Sequence, residues 1–398
     1  MNKNRLSLRV EDMISPSRVS VFSFGKDIPL DFLGHCPACG NSLKPVCVFI
    51  ALEAGLKIRY GLCQYCGYMG YMDRPTKKWM VDFYMNRWDK KFSRTKADVL
   101  KNLNLPKEGA KAGRYLTFSL IEKINTDKKR PVCEIGAGYG EILKNFERAG
   151  FKNLVTVENS KHRADFIKNN FGFNSLAGEF ENESVQKELN KFKPISIIFS
   201  HHMLEHTHDP SEIIALASSL QTQGDYLLLS LPNGGGEHIN YALFYLVHLH
   251  SFTKESLEIL LNKNGYEIAF DNSPDNTNII IAAKKVLEPR AKFKLGNAYL
   301  EKTVARFKKG LALEKTNPKN LYELLWTGES EESDSVELRP SSFLSWNFSK
   351  VMLLAKANIF HRFSPRYRML VRRAAQEIPS EGVPLEIQFK KGIKFLAK

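Results

Sequence analysis

The chain has 398 residues, 43% of them apolar, with a formal net charge of +15, which supports a globular protein of two or three domains. Six cysteines are too few for a disulfide scaffold, and no apolar run reaches the roughly 18 to 20 residues of a membrane helix. Residues 291–398 hold 20 Lys/Arg against 11 Asp/Glu, a surface that attracts nucleic acid, acidic lipid headgroups or phosphorylated small molecules. With no apolar h-region behind the basic N-terminus, the expected localisation is cytoplasmic.

Residues 1–30 mix charge with short apolar runs such as "VSVFSF" and carry no chemistry that can be named. "CPACG" and "CQYCG" then place Cys36, Cys39, Cys63 and Cys66 in two C-x-x-C turns, each followed by glycine. Such turns aim two thiolates inward, and two of them close a tetrahedral zinc site with no open position. A redox dithiol needs only one pair, so the expected metal is structural zinc. Cys47 and Cys133 sit in apolar, strand-like runs and are expected to be buried. The aromatics of "RPTKKWMVDFYMNRWDKKF" recur at helical spacing and predict a connecting helix. "NLPKEGAKAG" reads as a loop, followed by a helix over 114–124.

From there strand and helix patterns alternate. The strands fall at 131–135, 153–158, 173–177, 195–200, 225–231, 266–270 and 278–283, with helix-length segments at 141–149, 160–170, 211–220 and 253–264. Alternation of this kind predicts an α/β fold, a mainly parallel sheet with helices on both faces and ligands beyond the carboxyl ends of the strands. Past Pro289 come a basic amphipathic segment, an acidic low-complexity loop ("TGESEESDSVE"), an aromatic-rich run at 343–363 and a basic ending. Trp346, Phe348 and Leu353 are expected to pack as core. Arg366, Arg368, Arg372 and Arg373 are a candidate phosphate patch, and the run as a whole is a candidate for peripheral membrane contact.

"VCEIGAGYG" sets Gly136, Gly138 and Gly140 between a strand and a helix, where a bare backbone turns tightly and approaches a ligand. Glu134 ends the first strand, Glu158 the second, and Glu179 follows the third. A carboxylate in the second position can accept both hydroxyls of a ribose.

On these residues the stretch from about 114 to 285 resembles the class I S-adenosylmethionine-dependent methyltransferases. "FSHHMLEHTHDP", "LLLSLPN" and "HLHSFTKESLEILLNKNGYE" resemble later motifs of the ubiquinone-biosynthesis-like branch. The resemblance implies a Rossmann-like seven-stranded sheet at 93–288, flanked by a zinc-binding module at 1–92 and a C-terminal α+β extension at 289–398. It also implies cofactor contacts at Glu134, Gly136, Ala137, Gly138, Tyr139, Gly140, Glu158, Glu179 and Ser200. The cofactor's sulfonium carbon is already electrophilic, so the enzyme need only align it with a nucleophile about 3 Å away and remove a proton where required. The cationic sulfonium calls for carboxylates in the pocket and no lysine.

His201, His202, His206 and His208 cluster beyond the fourth strand, where a histidine can act as a general base. His202 and His206, i and i+4 with Glu205 beside them, also raise the question of a metal. Some ubiquinone-type O-methyltransferases place an acid-x-x-Glu-His group here for a divalent cation; this chain has His202 at the first acid's place. His248 matches the histidine ahead of "FT" in the family pattern. The catalytic candidates are therefore His202, His206 and His248. Zinc modules ahead of this fold resemble those of deoxysugar methyltransferases and of certain ribosomal-RNA methyltransferases. The expected function is methyl transfer to a small molecule, a sugar or sugar nucleotide. The alternatives are an RNA methyltransferase using the zinc module and basic patch as its RNA surface, and a non-catalytic binding module.

Overall fold

The computed structural model describes residues 7–8, 28–51, 56–88, 95–102, 119–124, 126–235, 247–274, 278–290, 301, 305, 322–326, 336–340, 379–380 and 383–384. Its centre is a seven-stranded sheet: β1 Val132–Ile135, β2 Leu154–Glu158, β3 Asn174–Ala177, β4 Ile197–His201, β5 Tyr226–Pro232, β6 Tyr266–Asp271 and β7 Asn278–Lys285. Across the sheet the order is β6-β7-β5-β4-β1-β2-β3, parallel from β5 to β3, with β7 antiparallel to both its neighbours.

Every residue of β1, β2 and β5 is buried, because helices cover both faces of a parallel sheet and its strands must be apolar throughout. These helices are α1 Glu141–Arg148, α2 Lys161–Phe171, α3 Glu183–Leu189, α4 Pro210–Ser219 and α5 Lys254–Lys263. Local chemistry fixes where they start. Ser160, Asn182 and Asp209 each accept a backbone N–H of the first turn, and Thr253 with Ser256 closes a capping box. One core face joins Ile135, Val157, Ile213, Leu229, Leu257 and Ile281; the other joins Phe146, Ile167, Phe199, Leu228 and Ile280. Each such side chain contributes about 1.5 to 3 kcal/mol of burial. The seven strands lie within two residues of their expected positions, and α3 adds a helix between β3 and β4.

The second sheet is antiparallel through Lys44–Ala51, Leu56–Leu62 and Met69–Tyr71. Its outer neighbour on one side is His250–Ser251, in register Gly70 to His250. On the other side come Val336–Pro340, Tyr322–Trp326 and Ser7–Leu8. The acidic stretch read as a loop therefore ends in a strand: Val336 and Glu337 pair, the latter with Val48. Thr76 caps the helix Lys77–Asp82, which continues as a π-helical stretch Phe83–Trp88, in the segment expected to be helical. Of the helix expected at 114–124, the described part holds a 3-10 turn, Ile121–Lys123. "VSVFSF", the loop at 104–113, the aromatic run at 343–363 and Arg366 to Arg373 lie outside the described residues. Among the described residues no helix is long and apolar enough to cross a membrane.

Candidate active site

The glycine loop joins β1 to α1 at the carboxyl end of the sheet. Gly136, Gly138 and Gly140 have φ of 71°, 58° and 73°, a region that costs side-chain-bearing residues about 1 to 2 kcal/mol. The sequence offers one reason for all three, approach to a ligand, and the structure separates them. A Cβ on Gly136 would lie 2.7 Å from Met203 Cγ, and one on Gly140 3.3 Å from Ile167, so those two are bare because protein packs on them. A Cβ on Gly138 would meet nothing within 4 Å. Gly138 alone therefore presents bare backbone to open space.

That space is a cleft of about 780 Å³ lined by Glu134, 135–139, Glu158, Arg163, Glu179, Glu181, 201–203 and 206–208. Glu158, at the tip of β2, accepts the Gly138 N–H at 2.7 Å and the Ser160 N–H at 3.1 Å, so one carboxylate fixes the loop from below. Tyr139 packs edge-on to Phe166 with the Arg163 guanidinium over its ring. Glu179 follows β3 and faces Glu181; burial first, then that neighbouring carboxylate, raises its pKa above the usual range.

The opposite wall is the helix that precedes the sheet, through Lys77, Met80, Val81 and Tyr84. Here the expectation of a lysine-free pocket is corrected. Lys77 Nζ lies 3.0 Å from Glu181 and 3.7 Å from Glu179, so its charge is spent on carboxylates at the rim. Sequence reading missed this wall. Positions 77, 80, 81 and 84 share one helical face, a pattern visible in the sequence, but nothing there says which surface that face meets.

The loop after β4 carries the histidines. His202 has φ 51°, the only positive value for a non-glycine among the described residues, and backbone held in such a region commonly marks a functional constraint. Its amide donates to Ser230 O at 2.7 Å, and its Nδ1 meets Glu205 Oε1 at 3.0 Å. Glu205 is only 1% exposed, and its Oε2 has no hydrogen-bond partner among the described residues. Burial alone would raise that carboxyl; the hydrogen bond from His202 and the nearby His206 and His248 outweigh it and bring it down to about 2. His206 Nδ1 lies 2.8 Å from Val247 O and 2.8 Å from Tyr84 Oη, and its Nε2 is 3.8 Å from Glu205 Oε1. Since a carbonyl only accepts, His206 carries its proton on Nδ1. Burial lowers its pKa. The His248 ring packs against His206 at 4.4 Å between centroids.

Of the expected site residues, Glu134, 136–139, Glu158, Glu179, His202 and His206 share the cleft. Gly140 stands just behind as the N-cap of α1. Ser200, buried within β4, and His248 do not line it.

The four knuckle cysteines form one cluster. Their sulfurs lie within 4.8 Å of one another, with Cys36 to Cys66 at 3.5 Å and Cys39 to Cys63 at 3.3 Å. Zinc–thiolate bonds of about 2.3 Å separate tetrahedral sulfurs by about 3.8 Å, so the set fits such an ion. Gly40 and Gly67 adopt φ of 84° and 74° and return hydrogen bonds to Cys36 O and Cys63 O. Cys133 is fully buried, which pushes its thiol pKa up; the Cys47 side chain lies outside the described residues.

The cluster touches the histidine loop through two bridges. Tyr68, just past Cys66, meets His250 Nδ1 at 2.5 Å, and His250 Nε2 meets Thr207 O at 2.9 Å. Arg74 donates to His208 O at 2.8 Å. Burial, then the Arg74 charge, pushes His250 down to about 3. His250 is therefore neutral, donating from Nε2 and accepting the Tyr68 hydroxyl at Nδ1.

Comparison with known proteins gives a family match and a set of similar solved structures. No curated protein matches the chain. Among solved structures, a SAM-dependent methyltransferase from Archaeoglobus fulgidus is similar at 17% identity and TM-score 0.34, over 43% of this chain and 94% of its own. Magnesium protoporphyrin IX methyltransferase from Synechocystis PCC 6803 is similar at 14% identity and TM-score 0.36, over 53% of this chain and 100% of its own. Residues 109–269 match a family described as "Methyltransferase domain", a span that takes in the glycine loop, both strand-end acids and the histidine loop. The chain carries a methyltransferase domain over residues 109–269.

Proposed function

We propose that the protein methylates a small acceptor, a sugar or sugar nucleotide, and that Cys36, Cys39, Cys63 and Cys66 hold a structural zinc ion. The observation that carries this reading is the single cleft that joins the Gly138 backbone and Glu158 at one end to His202 at the other. When bound, S-adenosylmethionine supplies a methyl carbon activated by its sulfonium. Glu134 would accept from the cofactor's amine, Glu158 from its ribose and Glu179 from its adenine, while the bare backbone at Gly138 would admit it closely. His202 donates Nδ1–H to Glu205, which orients the ring and leaves Nε2 to take the acceptor's proton. Lys77, Met80, Val81 and Tyr84 wall the cleft on one side, and its volume of about 780 Å³ is of the size that suits a small acceptor.

The test is transfer of labelled methyl from the cofactor to a panel of sugar nucleotides and, separately, to mixed RNA. Label should enter the sugar pool. His202→Ala should lower turnover by about 10²- to 10⁴-fold while calorimetry still detects adenosylhomocysteine binding. Label entering RNA instead, with binding that weakens steeply in salt, would overturn the small-molecule reading. Full turnover in the variant would remove His202 as the base.

A further inference from the structure

We propose that Lys77 is a positioning residue for cofactor binding, a cation that the cysteine-knuckle module sets across the cleft to keep Glu179 in its ionised, accepting form. The inference rests on the reading of Glu179 as the adenine contact. What carries it is one ammonium meeting two carboxylates. Lys77 Nζ lies 3.0 Å from Glu181 Oε1 and 3.7 Å from Glu179 Oε2.

Both sides of this contact are held by their surroundings. Glu179 and Glu181 straddle Phe180, which is buried in the core. The turn that carries them is pinned at each end: the Gly178 N–H donates to Glu158 O at 3.0 Å, and the Asn182 N–H to Glu179 O at 3.1 Å. On the lysine side, Arg74 fastens the preceding strand to the histidine loop through His208 O. The Thr76 N–H donates to Pro29 O at 2.9 Å, and its side chain caps the helix that Lys77 begins. Trp79 then stacks on Phe83 with ring centroids 5.3 Å apart. Lys77 therefore starts from a helix already seated against the cleft, whose wall it shares with Met80 and Val81.

Two neighbouring carboxylates oppose each other's ionisation, and burial adds to that opposition. Glu179 faces Glu181 and, from α4, Glu212; both push its pKa up, while Lys77 pulls it down. The unequal distances divide the roles. Glu181, the nearer, anchors the ammonium, and Glu179, the farther, gains from its charge while leaving an oxygen toward the cleft for a ligand N–H. One cation between two carboxylates also leaves a net negative charge at this rim, so the lysine does not repel a cationic sulfonium. Lys77 is 43% exposed, and ion pairs open to water contribute little to stability. Its role is electrostatic, on a neighbour, rather than a fastening of the two modules.

The test is titration calorimetry of adenosylhomocysteine on the full chain across pH, with Lys77→Met, Lys77→Arg and Glu179→Gln. Methionine keeps the apolar stem and removes the charge. Affinity in Lys77→Met should begin to fall at a higher pH than in the unsubstituted chain, and near pH 5.5 should be about 2- to 5-fold weaker, the range of a part-exposed charge contact. Lys77→Arg should restore the original profile. In a Glu179→Gln background, Lys77→Met should no longer move it. A fall in affinity of the same size at every pH would make Lys77 a packing residue and overturn the inference, as would an unmoved profile in Lys77→Met. If Glu179→Gln still flattens the profile in that case, the adenine reading survives and only the role of Lys77 is lost. A profile already flat in the unsubstituted chain would remove both.

Discussion

His202 and Gly138 share a left-handed backbone for different reasons. Gly138 tolerates it because it has no side chain, and the conformation leaves the amide bonded to Glu158 with open cleft above it. His202 bears strain of about 1 to 3 kcal/mol, compensated by its amide bond to Ser230 and its ring contact with Glu205. At this scale Glu179 gives a pH-dependent prediction. A carboxylate accepts from an adenine amine better than a carboxylic acid does, and burial beside Glu181 raises the Glu179 pKa. Adenosylhomocysteine affinity should therefore fall as pH drops through a range above that of an ordinary glutamate, and Glu179→Gln should flatten the profile. Titration calorimetry between pH 4.5 and 7.5 on the two chains checks this; identical profiles would detach Glu179 from cofactor binding.

At the level of elements, the non-cleft end of the sheet is fastened by Arg130, just before β1, and Asp225, just before β5. Arg130 donates to both Asp225 oxygens at 2.6 and 3.0 Å, and Asp225 is 2% exposed. Arg130→Ala removes the cation and leaves the carboxylate buried, though Thr222 still donates to it. A loss of about 3 kcal/mol in unfolding free energy is expected, read from denaturant midpoints, with cofactor affinity unchanged because the cleft lies at the other end of the strands. The sheet was legible in the sequence because buried parallel strands are unbroken apolar runs, as in "YLLLSLP", and because Ser160, Asn182, Asp209 and Thr253 mark helix starts locally. The apolar run around Cys47 was legible as strand-like and is Lys44–Ala51, but its partner Leu56–Leu62 was not read, because it mixes Lys, Arg and Gly into its apolar run. The His202–Glu205 pair was half legible, since i, i+3 spacing brings the groups near each other, but the φ that turns the ring back is a tertiary consequence.

Over the whole molecule, the cysteine module and the histidine loop form a continuous hydrogen-bonded path. Cys63 N donates to Tyr68 O, Tyr68 reaches His250, and His250 reaches Thr207. Removing metal from the full chain with a chelator should therefore speed amide exchange at 201–208 and 248–251 as well as at the knuckles, by mass-spectrometric hydrogen exchange; protection confined to its original level in the histidine loop would show the two regions to be energetically separate. None of this path could be read from sequence. Its central contact joins Tyr68 to His250, 182 positions apart, and Tyr68, Arg74 and Tyr84 carry no motif that points toward their partners.

The edge pairing of Met69–Tyr71 with His250–Ser251 has a consequence for anyone who would trim this enzyme. A polypeptide beginning after Trp88 would keep the whole Rossmann-like sheet yet strip a neighbour from the segment bearing His248 and His250, baring a strand margin that invites self-association. The knuckle module thus acts as a splint for the segment that carries His248 and His250, held to it through a shared strand margin.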